Sequence, residues 1–142
     1  MVPQIISGGI HMDSRGSLIH MNSFDMKDVK RFYIITPSNI DEIRAWQGHK
    51  IEDKWFFAIR GSFIIASVCP DHWESPSMIL PVNQFRINAE NPEVLYFPAG
   101  LANGFKALEP DSSLLVFSNK TLEEAKHDDF RFPNHFWFNF IT

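Results

Sequence analysis

The chain has 142 residues, 44% of them hydrophobic, and a formal net charge of −4. This length suits one domain with a proper core, taken as residues 1–142. The acidic balance argues against a nucleic-acid partner, whose phosphates require a basic surface, although a local basic pocket for a small phosphorylated ligand stays open. A single Cys69 excludes an intramolecular disulfide and a thiolate metal site. The first residues lack a basic region followed by an apolar core, and no apolar run is long enough to span a bilayer. A soluble cytoplasmic protein without a membrane partner is therefore expected.

Nine prolines and seven glycines favour short strands over long helices. Residues 4–12 read as one or two strands around Gly8-Gly9, and Asp13-Ser14-Arg15-Gly16 reads as a tight turn. Residues 17–22 alternate as a strand should, and 29–36 are rich in β-formers before Pro37. After the central stretch 43–62, a strand runs to Cys69. Residues 77–82 and 84–88 read as two strands around Asn83, followed by strands at 93–98, 103–108 and 113–118. Only 121–128 has helical character, with Thr121 and Glu124 spaced for a capping box. The aromatic tail from Phe130 to Phe140 is expected to pack on the body or across a subunit interface. Nine or ten short strands with regular turns predict an antiparallel sandwich or barrel.

Chemistry concentrates in residues 43–62, IRAWQGHKIEDKWFFAIRGS. Read as extended chain, Gln47, His49, Ile51, Asp53 and Trp55 share one face, while Lys50, Glu52, Lys54 and Phe56 share the other. This predicts one strand that lines a polar pocket at its start and enters a sandwich core at its end. On that reading His49 and Glu52 face opposite ways, Lys50 and Glu52 form a solvated face, and Trp55 to Ile59 is core.

The six histidines are scattered, with neither an H-x-H nor an H-E-x-x-H pattern, so no metal is expected. A G-x-S-x-G elbow and a glycine-rich phosphate loop are also missing, and no cofactor is expected. What remains is a set of cationic and hydrogen-bonding groups: Arg15, Arg44, His49, Lys54 and Lys106, with Trp46 and Trp55 beside them. Arginine binds phosphate or carboxylate with two donors at once, and aromatic faces suit a sugar or a base. His49 is a proton carrier near neutral pH, and Lys54 is suited to an enolate oxygen.

Asp13-x-Arg15-Gly16, Arg44, Lys54 seven residues before Gly61, and the run PAGLANGF from Pro98 to Phe105 resemble the dTDP-4-dehydrorhamnose 3,5-epimerase family. The length, and the layout from Lys30-Arg31-Phe32-Tyr33 to His49-Lys50, resemble the shorter dTDP-sugar 3,4-ketoisomerases, the WxcM-like group. The likeness runs from about Asp13 to Trp137. It implies an all-β, cupin-type double-stranded β-helix (a jelly roll) with a short C-terminal helix, usually homodimeric. The implied activity is metal-free conversion of dTDP-linked 4-keto-6-deoxy sugars in surface-polysaccharide pathways. Carried onto this chain, it makes His49 the base, Lys54 an oxyanion contact and Tyr33 an auxiliary acid. Arg15, Arg44, Gln47, Trp55, Asn103 and Lys106 become the groups that bind the nucleotide-linked sugar.

The chain departs from the family pattern in four places. Gln47 stands where the epimerases have their base and where the ketoisomerases have the first His of an H-x-H pair. Asn103 replaces a histidine, Asn134 aligns with the aspartate that supports the epimerase base, and the epimerase tyrosine has no counterpart near Phe117 to Thr121. Amides do not titrate near neutral pH. The alternative reading is therefore an inactive cupin that binds a sugar nucleotide.

Overall fold

Turn residues such as Pro37, Gly61, Pro70 and Pro98 divide the chain into short strands, each closing a run rich in β-branched and aromatic side chains. The computed structural model describes residues 1–141. The strands are β1 (Gln4–Ser7), β2 (Gly9–Asp13), β3 (Gly16–His20), β4 (Arg31–Ile35), β5 (Ile43–His49) and β6 (Lys54–Arg60). They continue with β7 (Ser62–Val68), β8 (Val82–Asn88), β9 (Glu93–Phe97), β10 (Leu101–Ala107) and β11 (Ser113–Ser118). A one-turn helix α1 (Leu122–Ala125) and β12 (Phe130–Arg131) complete the chain. No helix among the described residues is long and apolar enough to cross a membrane.

Two five-stranded antiparallel sheets face each other, ordered β1-β9-β6-β11-β4 and β12-β5-β10-β7-β8, and β2–β3 forms a separate hairpin. From β4 to β11 the chain mostly alternates between the two sheets, which is the winding of a jelly roll. The core between them holds Phe56 and Ala58 of β6, Leu95 and Phe97 of β9, and Leu114 and Val116 of β11. Opposite these lie Phe63 and Ile65 of β7, Ile87 of β8 and Phe105 of β10. Every residue of β7 is buried, because its second face, with Ile64, Ala66 and Val68, lies under the aromatic tail. Phe132 and Phe140 are buried there beside Trp46, and the Trp46 indole donates to the carbonyl of Phe136 at 2.9 Å. The tail thus packs on the body of its own chain.

Gly61 makes the β6–β7 turn possible: its φ is +71°, and a Cβ there would collide with Ser112. The capping box of α1 forms as expected, with Glu124 N–H donating to Thr121 Oγ1 at 3.2 Å and Thr121 N–H to Glu124 Oε1 at 3.0 Å. Two expectations are corrected. Asn83 is not a turn but sits inside β8, paired with Ser67. Residues 77–81 are a loop, bracketed by Pro76 and Pro81, neither of which has an N–H for a ladder.

The central stretch is corrected as well. Residues 43–62 are not one continuous strand: β5 lies in one sheet and β6 in the other, joined by a turn at 50–53. Phe56 and Ala58 enter the core, as expected of the apolar run, whereas Ile59 is exposed and Trp55 packs on the outer face against Phe24 and Tyr96.

Candidate active site

A cavity of about 660 Å³ opens between the sheets, lined by β4 and β6 on one side, β5 and β10 on the other, and α1 with the segment after it. Its lining carries five cations (Arg31, Arg44, Lys54, Lys126 and Arg131) against two carboxylates, Glu52 and Asp129. In a chain of net charge −4, that local excess makes the cavity attractive to an anion. Asp129 is largely occupied by Arg131, at 2.7 and 3.2 Å, and Lys126 pairs with Glu123 at 2.6 Å. Arg44 has no carboxylate partner among the described residues and is free to fork onto a phosphate.

Of the residues singled out from the sequence, His49, Lys54, Tyr33, Arg44, Gln47 and Asn103 all line this cavity. Three do not. Arg15 sits at the tip of the β2–β3 hairpin, paired with Asp13 at 2.7 Å. Trp55 lies on the outer face of β6, because the turn at 50–53 shifts the alternation that grouped it with His49. Lys106 reaches away from the cavity, to the carbonyl of Phe140 at 3.3 Å.

Two side chains hold the turn at 50–53: Asn119 Oδ1 accepts the Asp53 N–H at 2.8 Å, and Asp128 takes the three before it. The Asp128 carboxylate accepts the backbone N–H groups of Lys50 (2.6 Å), Ile51 (2.9 Å) and Glu52 (2.9 Å). The chain therefore curls, and Glu52 comes to face His49 rather than point away from it. The separation from His49 Nδ1 to Glu52 Oε1 is 3.2 Å. This overturns the expectation that the two diverge, and also the expectation that Glu52 is solvated, since it is 2% exposed. Glu52 is the functional candidate that alternation missed. The spacing His-x-x-Glu was visible, but strand geometry was applied across a turn. Lys50 is exposed, with its ammonium over the rings of Trp73 and Phe130.

His49 is 4% exposed. Its Nδ1 lies 2.6 Å from the carbonyl of Asp128, while Nε2 is buried with no partner. Burial, with the nearby Lys54 charge, holds its pKa below the ordinary imidazole value; the Asp128 carbonyl and the Glu52 carboxylate oppose this. Lys54, also 4% exposed, donates to the Gln47 side-chain carbonyl at 3.1 Å. Burial pushes its pKa down to about 8, opposed by Glu52 and reinforced by Arg31. Burial raises the Tyr33 phenol to about 12, with Glu52 adding to the effect, so it keeps its proton. Gln47 in turn donates to Asp129 at 3.2 Å, and the Asn103 amide donates to the backbone carbonyl of Gln47 at 3.1 Å. Both amides thus act as struts of the cavity wall.

The Lys54 value carries a stability prediction. Its folded pKa lies below the unfolded one, so the unfolded chain binds more protons between about pH 8 and 10.5. Ligand-free protein should therefore gain stability as pH rises through that window. Lys54→Met lacks this dependence, so its Tm margin over the wild type should narrow steadily from pH 8 to 10. A constant margin would show that the Lys54 amine titrates normally.

No protein-family profile matches the sequence, and no curated protein matches it. Solved structures do match the fold. A variant of the 3,4-ketoisomerase QdtA from Thermoanaerobacterium thermosaccharolyticum, in complex with TDP-4-keto-6-deoxyglucose, is 21% identical at TM-score 0.71. That match covers 92% of this chain and 87% of that one. A 3,4-ketoisomerase from Helicobacter canadensis is 20% identical at TM-score 0.71, covering 93% and 92%. ChmJ, a 3'-monoepimerase from Streptomyces bikiniensis in complex with dTDP-quinovose, is 19% identical at TM-score 0.72, covering 91% and 68%. The fold is thus the cupin jelly roll, and its matches include 3,4-ketoisomerases and an epimerase, the two kinds of enzyme that the motifs resemble.

Proposed function

We propose that this chain is an isomerase of dTDP-linked 4-keto-6-deoxy sugars, with His49 as its base and ketoisomerisation as its reaction. The observation that carries this reading is the cation-rich cavity with His49 as the one histidine in its described lining. Arg44 and the neighbouring cations bind the diphosphate. Nε2 of His49 takes the proton from C3, next to the carbonyl at C4. The electron pair moves to the carbonyl oxygen, which Lys54 stabilises as an enediolate forms. Tyr33, still protonated at neutral pH, donates a hydrogen bond to the same oxygens. The hydroxyl proton of the enediolate passes from the C3 oxygen to the C4 oxygen, and the His49 imidazolium then returns its proton at C4, leaving the hydroxyl at C4 and the ketone at C3. One base suffices for transfer between adjacent carbons.

The reading includes action in the cytoplasm, in surface-polysaccharide synthesis, as a homodimer. The β2–β3 hairpin supports the dimer: it pairs with neither large sheet, yet exposes Ile10, Met12, Leu18 and Ile19. Sedimentation at micromolar concentration should give twice the 16.4 kDa chain mass.

The test is proton NMR in deuterated water with dTDP-4-keto-6-deoxyglucose. Loss of the C3 proton signal, or a 3-keto product, is the expected result. Loss at both C3 and C5 would mean epimerisation instead. Binding without exchange would support the second reading, a binding module, which the amides of Gln47 and Asn103 in the cavity wall favour. Arg44→Ala should weaken dTDP binding by about tenfold or more, the worth of a charge-assisted hydrogen bond. Calorimetric titration reads this directly, and an unchanged Kd would move the diphosphate elsewhere.

A further inference from the structure

Glu52 is a buried carboxylate that the reaction above does not use. One oxygen, Oε2, is anchored: it accepts from Arg31 Nη2 at 3.1 Å and from the Ser118 hydroxyl. Neutralising Arg31 would require nothing more. The other oxygen, Oε1, lies 3.2 Å from His49 Nδ1. The Asp128 carbonyl lies 2.6 Å from the same nitrogen and can only accept, so Nδ1 carries the proton of the neutral ring. Nε2 is then the bare nitrogen, and it is the one without a partner.

We propose that Glu52 is the positioning residue of the base: with the Nδ1–H of His49 held by the Asp128 carbonyl and Nε2 left bare, the Glu52 carboxylate, 3.2 Å from Nδ1, keeps the ring in place and steadies the imidazolium formed when Nε2 takes a proton. The inference rests on His49 being the base and names the group through which it works. The proton moves from the sugar carbon to Nε2 and back, while the Nδ1 proton stays on the ring throughout. This is the supporting role that the family resemblance places near Asn134, a residue that lines a different cavity, beside the tail.

The charges facing His49 are Lys54 from β6, Glu52 from the turn, and Asp128 and Asp129 from the segment after α1. Among these, Glu52 is the carboxylate paired with the ring, at 3.2 Å. In Glu52→Gln, Arg31 and Ser118 keep the amide oxygen, so the NH2 group turns toward Nδ1 and meets a donor with a donor.

The experiment is nitrogen-15 NMR on the histidine-labelled full chain, without ligand, followed by kinetics. Wild-type His49 should show the Nδ1–H tautomer. In E52Q its titration midpoint should fall by about one pH unit or more, as loss of a close opposite charge requires. The tautomer, held by the Asp128 carbonyl, should stay Nδ1–H, and the acid limb of kcat/KM should fall with the midpoint. Turnover should drop about 100-fold, and Glu52→Asp, which keeps the charge, should restore the midpoint. An Nε2–H tautomer in the wild type would overturn the assignment even if no variant folds. So would folded E52Q with the wild-type midpoint. The predicted tautomer and midpoint shift, without turnover of the sugar nucleotide, would uphold the Glu52–His49 pairing and sink only the substrate reading.

Discussion

His49→Asn is expected to slow proton exchange at the sugar C3 by about 10²- to 10⁴-fold, the usual worth of a positioned general base. The amide fills much of the imidazole's space and cannot take a proton near neutral pH. Binding of dTDP should survive, since the cations that hold a diphosphate are untouched. The wild-type pH profile of kcat/KM supplies the companion result. Below the depressed His49 pKa the ring is protonated and the base is lost, so the acid limb lies under pH 6.5. As pH rises through about 8, Lys54 loses its charge and with it the stabilisation of the enediolate, giving an alkaline limb. A bell with its alkaline limb near pH 8 is thus expected, and Lys54→Arg should move that limb upward. Full exchange in His49→Asn would put the base elsewhere, with Lys54 as the next group to replace.

Asp128→Ala is expected to be the most destabilising single change near the cavity. Its carboxylate takes three backbone N–H groups of the turn at once. Each is part-buried or buried, and leaving such a donor unsatisfied costs about 1–3 kcal/mol. A total of about 3 kcal/mol or more should follow, allowing for partial access of water to the vacated space. Urea denaturation would read this as a lower midpoint with an unchanged slope. Turnover should fall in parallel, because the same turn carries His49 at its start and Glu52 at its end. A loss under about 1 kcal/mol would mean that water or a rearranged turn satisfies those donors as well as the carboxylate does.

Much of the fold was legible because short-range chemistry dictates it. Alternation and β-branched residues mark β4, β7, β9 and β11; Asp13 to Gly16 marks the first hairpin; Thr121 and Glu124 mark the helix start. Asn83 misled because its side chain favours turns, whereas pairing with Ser67 in β8 outweighs that preference. Six residues that line the cavity, Tyr33, Arg44, Gln47, His49, Lys54 and Asn103, were legible as candidates from their chemical types and the motifs around them.

What sequence by itself determined is the β-sandwich and the supply of cationic and imidazole side chains, Arg44, His49 and Lys54, on which the proposed chemistry draws. Which of these groups meet was decided only by the tertiary structure. Asp128, 76 residues beyond Glu52, curls the 50–53 turn and so brings a carboxylate to His49 that strand periodicity sends to solvent. The same turn carries β6 into the opposite sheet, which aims Lys54 inward and leaves Trp55 on the outer face. Burial then sets the working state of both groups, lowering the pKa of His49 and of Lys54. Periodicity is a property of neighbours along the chain. A turn held by a distant side chain, and the desolvation of a closed cavity, are properties of neighbours in space.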